Sequence, residues 1–258
     1  MRTFVSAILV IAVQPVRAED LTLDQRLIVA CFNVRLSDVV VCLRKGADVN
    51  ATLGERANQS ELFYNRWEQG RPAVTSAWTP LIALAAASKY PEPTSDWPPQ
   101  VRPSKWSSQD VSKSRALREQ IPRGEIYKRQ NDARAILYLL LSHNCDLDRD
   151  DGFGATALFK AVSSEKVELV EVLLEFGANP NSKTRVYIDG PGNLTPLHMS
   201  CRSSEMTRLL LKHGANPAAA DSEGRTPADL VNLDPNREFD LVQTTEGWRV
   251  LLRNKHVK

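Results

Sequence analysis

The 258-residue chain has almost no charge imbalance. Two of its 33 Lys and Arg residues, Arg2 and Arg17, lie in the first 18 positions, so the remaining 240 carry 31 side chains of each sign. That balance leaves no electrostatic footprint for nucleic acid or for an anionic membrane surface. Histidine is sparse as well: His143, His198, His213 and His256 are scattered and show no metal-ligand spacing. The sequence contains no Gly-rich phosphate loop and no Gly-x-Ser-x-Gly elbow. Its acidic stretch 148–151 lacks the pattern of a calcium loop. Beyond residue 18 no apolar run approaches the roughly 20 residues that a membrane-spanning helix needs. These absences point away from an enzyme, a cofactor, a metal site and a membrane anchor. The 42% hydrophobic and 25% charged shares are those of an ordinary folded domain.

What is present begins at the N-terminus. Arg2 precedes an uninterrupted apolar or small-residue run, Phe4–Val13, then Pro15 and the triplet Val16-Arg17-Ala18. This is the layout of a cleaved export signal with cleavage after Ala18. Glu19-Asp20 follow the cleavage point, not a cysteine, so a lipid anchor is not expected. The short signal is of the bacterial kind, and the periplasm is the expected compartment.

Downstream the chain repeats itself. Leu27–Asn50, Asp151–Asn181 and Leu194–Pro217 each combine an apolar helix pattern, a second apolar helix pattern and a Gly-Ala-Asp/Asn end, as at Gly46-Ala47-Asp48, Gly177-Ala178-Asn179 and Gly214-Ala215-Asn216. A further copy is split, with Trp78–Ala87 as its front half and Ala133–Asp148 as its back half; another opens at Asp221. Thr79-Pro80, Thr195-Pro196 and Thr226-Pro227 are good helix starts, because Thr caps and Pro fits the first turn. Gly just past a helix end accepts the left-handed conformation, and Asn144 replaces it in the split copy.

With its Thr-Pro-Leu-His starts and Gly-Ala-Asn ends, the chain resembles the ankyrin repeat family. The resemblance implies an all-α solenoid of about five helix-turn-helix repeats over residues 19–258, each pair burying its apolar face against its neighbours. It also implies a protein partner, no catalysis, and a monomer with capped ends. Spacing locates the insertions. From the end residue to the next Thr takes 12 positions for Asn144→Thr156 and Gly214→Thr226, but 33 for Gly46→Thr79 and 18 for Gly177→Thr195. From Thr to the following end takes 21 for Thr156→Gly177 but 65 for Thr79→Asn144. The extra residues fall at about 51–77, at about 88–130 in the second repeat, and around Tyr187. The second helix of the last repeat falls either near Leu241 or around Trp248–Arg253.

Loops this long are usually functional or disordered. The first insertion carries Phe63, Tyr64, Arg66 and Trp67, which suit a short amphipathic helix on the hairpin side, the side that borders the binding face in the ankyrin family. The second begins with five prolines interleaved with Trp97 and Trp106. Trp and Arg are over-represented at binding hot spots, so Phe63, Tyr64, Arg66, Trp67, Trp97, Trp106 and Tyr187 are candidate partner-binding residues. The alternatives are that these aromatics pin the insertions onto the solenoid, or that the insertions are disordered. Trp78 reads as structural.

Among the cysteines, Cys31 and Cys42 sit on the two helices of one repeat and are candidates for a disulfide; Cys145 and Cys201 read as small buried thiols. His198 and Cys201 occupy ordinary repeat positions and do not read as a nucleophile pair. Two Asn-x-Ser/Thr sequons, at Asn58 and Asn193, matter only in a eukaryotic secretory pathway. The expected function is an exported binder that neutralises a periplasmic or secreted enzyme, a hydrolase or a toxin effector, as immunity proteins do. The alternative is a structural or chaperone-like envelope protein that supports a periplasmic stress enzyme.

Overall fold

A computed structural model describes residues 21–54, 67–68, 71–72, 76–87, 123–185, 191–233, 239–245 and 247–253. The expected signal at 1–18 lies outside them. Helix α1 (Leu23–Phe32) and helix α2 (Leu36–Arg44) form the first pair. Next come two short strands, β1 (Trp67–Glu68) and β2 (Arg71–Pro72), then α3 (Pro80–Ala86) with α4 (Arg123–Ser142). The pairs α5 (Ala157–Ser163) with α6 (Val167–Glu175), and α7 (Pro196–Met199) with α8 (Ser204–Lys212), follow. Helix α9 (Pro227–Leu233) and strands β3 (Phe239–Thr244) and β4 (Gly247–Leu252) close the described chain.

The helices stack in two layers. The first helices contact one another in the order α1, α3, α5, α7, α9, and the second helices in the order α2, α4, α6, α8. Leu27, Ile28, Leu81, Leu84, Leu158, Ala161, Leu173 and Leu210 belong to one continuous core between the layers. Local chemistry fixes the ends. Thr79 Oγ1 accepts the Ile82 N–H and Thr156 Oγ1 accepts the Phe159 N–H, each at 3.3 Å. Thr22 and Gln25 close a reciprocal capping box. Gly46, Gly177 and Gly214 take positive φ just past their helices, as does Asn144 at φ 56°. Trp78 is buried beside Phe32, ring centroids 5.9 Å apart, which is the structural role its position suggested. Helix α4 starts at Arg123, so residues 123–130, assigned to the second insertion from spacing, continue the helix.

Successive repeats are also tied by a ladder along the loops. The N–H groups of Asp146, Asn179 and Asn216 donate to the side-chain oxygens of Asn50, Asp148 and Asn181 of the preceding unit, at 2.7–2.8 Å, and within the first unit the Asp48 N–H donates to Asp24 at 2.8 Å. Each rung satisfies a loop amide that no helix or strand could use.

Two sequence expectations change here. The fold is mainly helical but not all-α, because neither candidate for the last second helix is helical. Residues 239–252 form one antiparallel hairpin, with Leu241 opposite Val250 and Gln243 opposite Trp248. Burial alternates with period two: Phe239 and Leu241 are buried, whereas Asp240 and Val242 turn outward. β-branched Val242, Thr244, Thr245 and Val250 favour that pleat, and Pro235 discourages a helix running on from α9. Thr244 Oγ1 donates to the Gly247 carbonyl at 2.6 Å across the turn, and Arg253 pairs with Asp240 at 2.8 Å. Strand β3 packs on α9 and β4 on α8, so the hairpin takes the place of the missing helix. The second change concerns Trp67. It pairs with Pro72 in a two-residue strand and is not in an amphipathic helix; Pro72, without an N–H to donate, opposes a helix there.

Candidate functional site

Among the described loops between repeats, the one before α5 is held by the densest set of side-chain bonds. Asp150 Oδ1 accepts the N–H groups of Gly152 and Gly154, at 2.7 and 3.2 Å. Asp151, only 2% exposed, accepts those of Phe153 and Ala155 at 3.0 and 3.1 Å, and its other oxygen meets Lys160 Nζ at 3.0 Å. Four loop amides are thereby organised by two adjacent carboxylates. Gly152 and Gly154 both take positive φ, 88° and 86°, which lifts the residue between them clear of the loop. That residue is Phe153, 49% exposed.

The neighbouring loop locks this turn in place. The Phe153 carbonyl accepts the Arg185 N–H at 2.7 Å, the Gly152 carbonyl accepts Arg185 Nη1 at 3.3 Å, and Arg185 Nη2 pairs with Asp150 at 3.0 Å. Gly154 lies so close to the 183–185 backbone that a Cβ there would come within 2.6 Å of the Lys183 carbonyl oxygen. The second loop is itself closed by Thr184 and Asn193: the Asn193 N–H donates to the Thr184 carbonyl at 2.8 Å, and the Thr184 N–H donates to the Leu194 carbonyl at 3.0 Å. The next loop joins through Ser222, whose hydroxyl accepts the Gly192 N–H at 2.8 Å. Asp221 repeats the role of Asp151, accepting the N–H groups of Glu223 and Arg225 and the Arg225 side chain. Burial alone would raise its carboxyl pKa, but those donors outweigh burial and hold it below the usual carboxylate range. The result is a braced row of loop tips in which the turn that displays Phe153 is held by Arg185. The backbone that carries Phe153 is thereby preorganised, because little of its conformational freedom is left to lose on binding.

Phe63, Tyr64, Arg66, Trp97, Trp106 and Tyr187 lie outside the described residues, and Trp67 is placed by its backbone alone. Arg185, which flanks the loop carrying Tyr187, stands against the Phe153 turn. Phe153 and Arg185 were missed. The available signal was an aromatic held between two glycines where the corresponding loops carry Gly192 and Glu223.

The Cys31 and Cys42 thiols are free, so their candidate disulfide is not formed in this structure. Burial, followed by the neighbouring Cys42 and Cys145, pushes the Cys31 thiol far above its ordinary value; burial also raises Cys42, and raises Cys145 to about 11. His198 and Cys201 do not form a nucleophile pair. The His198 Nδ1 accepts the Thr195 N–H at 3.1 Å while Nε2–H donates to the Arg225 carbonyl at 3.2 Å, which fixes a neutral ring. Cys201 Sγ donates to the His198 carbonyl at 2.8 Å, and burial lifts its pKa to about 12. Among the described residues no group of three or more His, Cys, Asp or Glu is placed to hold a metal ion, and no helix is long and apolar enough to cross a membrane.

Burial lowers the His198 pKa, opposed by its bond to the Arg225 carbonyl and by Asp221. Unfolded chains take up this proton near the ordinary imidazole value of about 6.5, and the folded one only at lower pH. In that window the unfolded state binds more protons, so stability should fall as pH drops from neutral through about 6 toward the folded value. Urea unfolding at a series of pH values should show this loss, and His198→Gln should flatten it. An unchanged slope in the variant would show that His198 is not its source.

The ankyrin repeat family matches residues 153–185 and 192–222, the two units that carry this row of loops. Protein phosphatase 1 regulatory subunit 27 of Mus musculus is 31% identical over 121 residues, 46% of this chain and 73% of that protein. This chain belongs to the ankyrin repeat family. Ankyrin repeat and SOCS box protein 11 of Danio rerio is 37% identical over 100 residues, 38% of this chain and 32% of its own length. The 2-5A-dependent ribonuclease of Homo sapiens is 43% identical over 78 residues, 30% of this chain but 10% of that protein. The chain thus spans a third or less of these last two relatives. Ankyrin repeats are protein-binding scaffolds.

Proposed function

We propose that this chain is an exported binding module that holds an enzyme in the periplasm and blocks it, an immunity-type role, with the loop tips around Phe153 as the primary contact. The observation that carries the reading is the Phe153 turn, an aromatic ring half exposed on a backbone whose amides and carbonyls are already satisfied. Nothing within the fold requires that exposure. The signal-like residues 1–18 support export. A relative named as a regulatory subunit of a phosphatase supports an enzyme as the class of partner. Phe63, Tyr64, Arg66, Trp67, Trp97, Trp106 and Tyr187 supply further contact surface in this reading.

Co-purification from the periplasm of an exporting host should recover a hydrolytic enzyme in stoichiometric complex with the chain. Phe153→Ala should then weaken the complex about tenfold or more while leaving the melting temperature unchanged, since exposed hot-spot aromatics act on binding and not on the core. Titration calorimetry of the pair checks this. Unchanged affinity in both Phe153→Ala and Arg185→Ala would move the contact away from these loops.

A further inference from the structure

A helix leaves its last carbonyls without donors of its own, and the chain must supply them from elsewhere. At α1 and α5 the residues that follow do so. Val34 (φ 54°) and Glu165 (φ 53°) turn left-handed, which aims their amides and the next ones back at the helix. The Val34 and Arg35 N–H groups donate to the Cys31 and Ala30 carbonyls, at 3.1 and 2.9 Å. The Glu165 and Lys166 N–H groups donate to the Val162 and Ala161 carbonyls, at 2.9 and 3.0 Å. Helix α3 ends in another way. Ala87 is extended, at φ −55° and ψ 146°, so the chain leaves α3 without turning back. Donors arrive instead from the next repeat: Lys166 Nζ donates to the Leu84 carbonyl at 2.9 Å and to the Ala85 carbonyl at 3.0 Å.

We propose that Lys166 is a clamp between repeats: it closes α3 from the next repeat and makes the second and third repeats unfold together. One residue thus serves two helices, its N–H closing α5 and its ammonium closing α3. The chemistry suits the place. A cation at a helix C-terminus meets the partial negative charge of the last carbonyls, and a bond from a charged donor is stronger than one from a neutral amide. Lys166 is half-buried, so water and salt screen these bonds less than they screen an exposed pair. The position matters because it is where the repeat is interrupted. Residues 87–122 separate α3 from α4, whereas residues 164–166 separate α5 from α6. The short turn that closes an uninterrupted repeat is lacking at α3, and in a solenoid each repeat is held only by its neighbours. The third repeat supplies the missing closure.

Lys166→Met in the full chain tests this, since it keeps the apolar stem and removes the donors and the charge. The melting temperature should fall by about 5 °C. Amide hydrogen exchange, followed by mass spectrometry, should accelerate about tenfold in α1 and α3 and stay unchanged in α8. That pattern follows because coupling in a solenoid passes between adjacent repeats. Lys166→Arg, which keeps donors and charge, should restore most of the protection. Wild-type protection of α3 in Lys166→Met overturns the clamp. Equal losses in the Met and Arg variants also overturn it, because the stem and not its donors would then hold α3. Acceleration spread evenly over all the helices overturns the coupling of these two repeats.

Discussion

Gly154→Ala should lower the melting temperature by roughly 10 °C, the equivalent of about 3 kcal/mol in a chain of this size. Two costs combine at that position. The backbone sits at φ 86°, where a Cβ is disfavoured by about 1–2 kcal/mol. In addition the new Cβ would lie 2.6 Å from the Lys183 oxygen, 2.7 Å from the Arg185 nitrogen and 2.9 Å from the Thr184 Cα. All three are main-chain atoms, so no side chain can swing away to make room; the two loops must part. Gly177→Ala is the control. Its φ is 93°, but nothing lies within 4 Å of the added atom, so only the conformational cost of about 1 kcal/mol applies. Calorimetric melting of the two variants separates backbone strain from loop packing. Equal losses would mean that the 153–185 contact does not bear on stability.

Replacing Asp151 by Ala removes a buried carboxylate that accepts two loop amides and the Lys160 ammonium. The Phe153 and Ala155 N–H groups would be left without acceptors and a half-buried Lys160 without its counter-charge. Such losses add to about 3 kcal/mol. Asp151→Asn keeps an oxygen for the amides and gives up only the charge, so denaturant unfolding should place it between wild type and Asp151→Ala. The Ala variant has a second expected consequence. It frees the turn that holds Phe153, so partner affinity should fall even at temperatures where the fold is intact. Phe153→Ala should show the opposite pattern, lost affinity at full stability. If Asp151→Ala is as stable as wild type, the carboxylate does not organise this loop as the distances imply.

Much of the architecture could be read before any coordinates because its signals are local. Thr79, Thr156 and Thr195 each start a helix, since a hydroxyl three residues from an N–H needs only the first turn to reach it. Gly46, Asn144, Gly177 and Gly214 end helices because the left-handed conformation is a property of single residues. The hairpin at 239–252 was hidden by the repeat itself. The alternation of Phe239 and Leu241 with outward residues becomes decisive only once α8 and α9 offer a surface to cover. The loop site was hidden for a different reason. Phe153 is displayed because Arg185 and the 183–185 backbone brace its turn from the next repeat, and no local rule anticipates a brace supplied across two loops.

By itself the sequence determined the family and those helix ends that carry a capping Thr or a terminal Gly or Asn. Helix caps, terminal glycines and apolar periods act within a few residues, and such short-range terms survive without knowledge of neighbours. Only the tertiary structure decided how the last repeat is closed and which aromatic faces outward from a braced loop. Each of these depends on which surfaces are already covered by distant parts of the chain, because burial is set by the packed whole and not by any one segment.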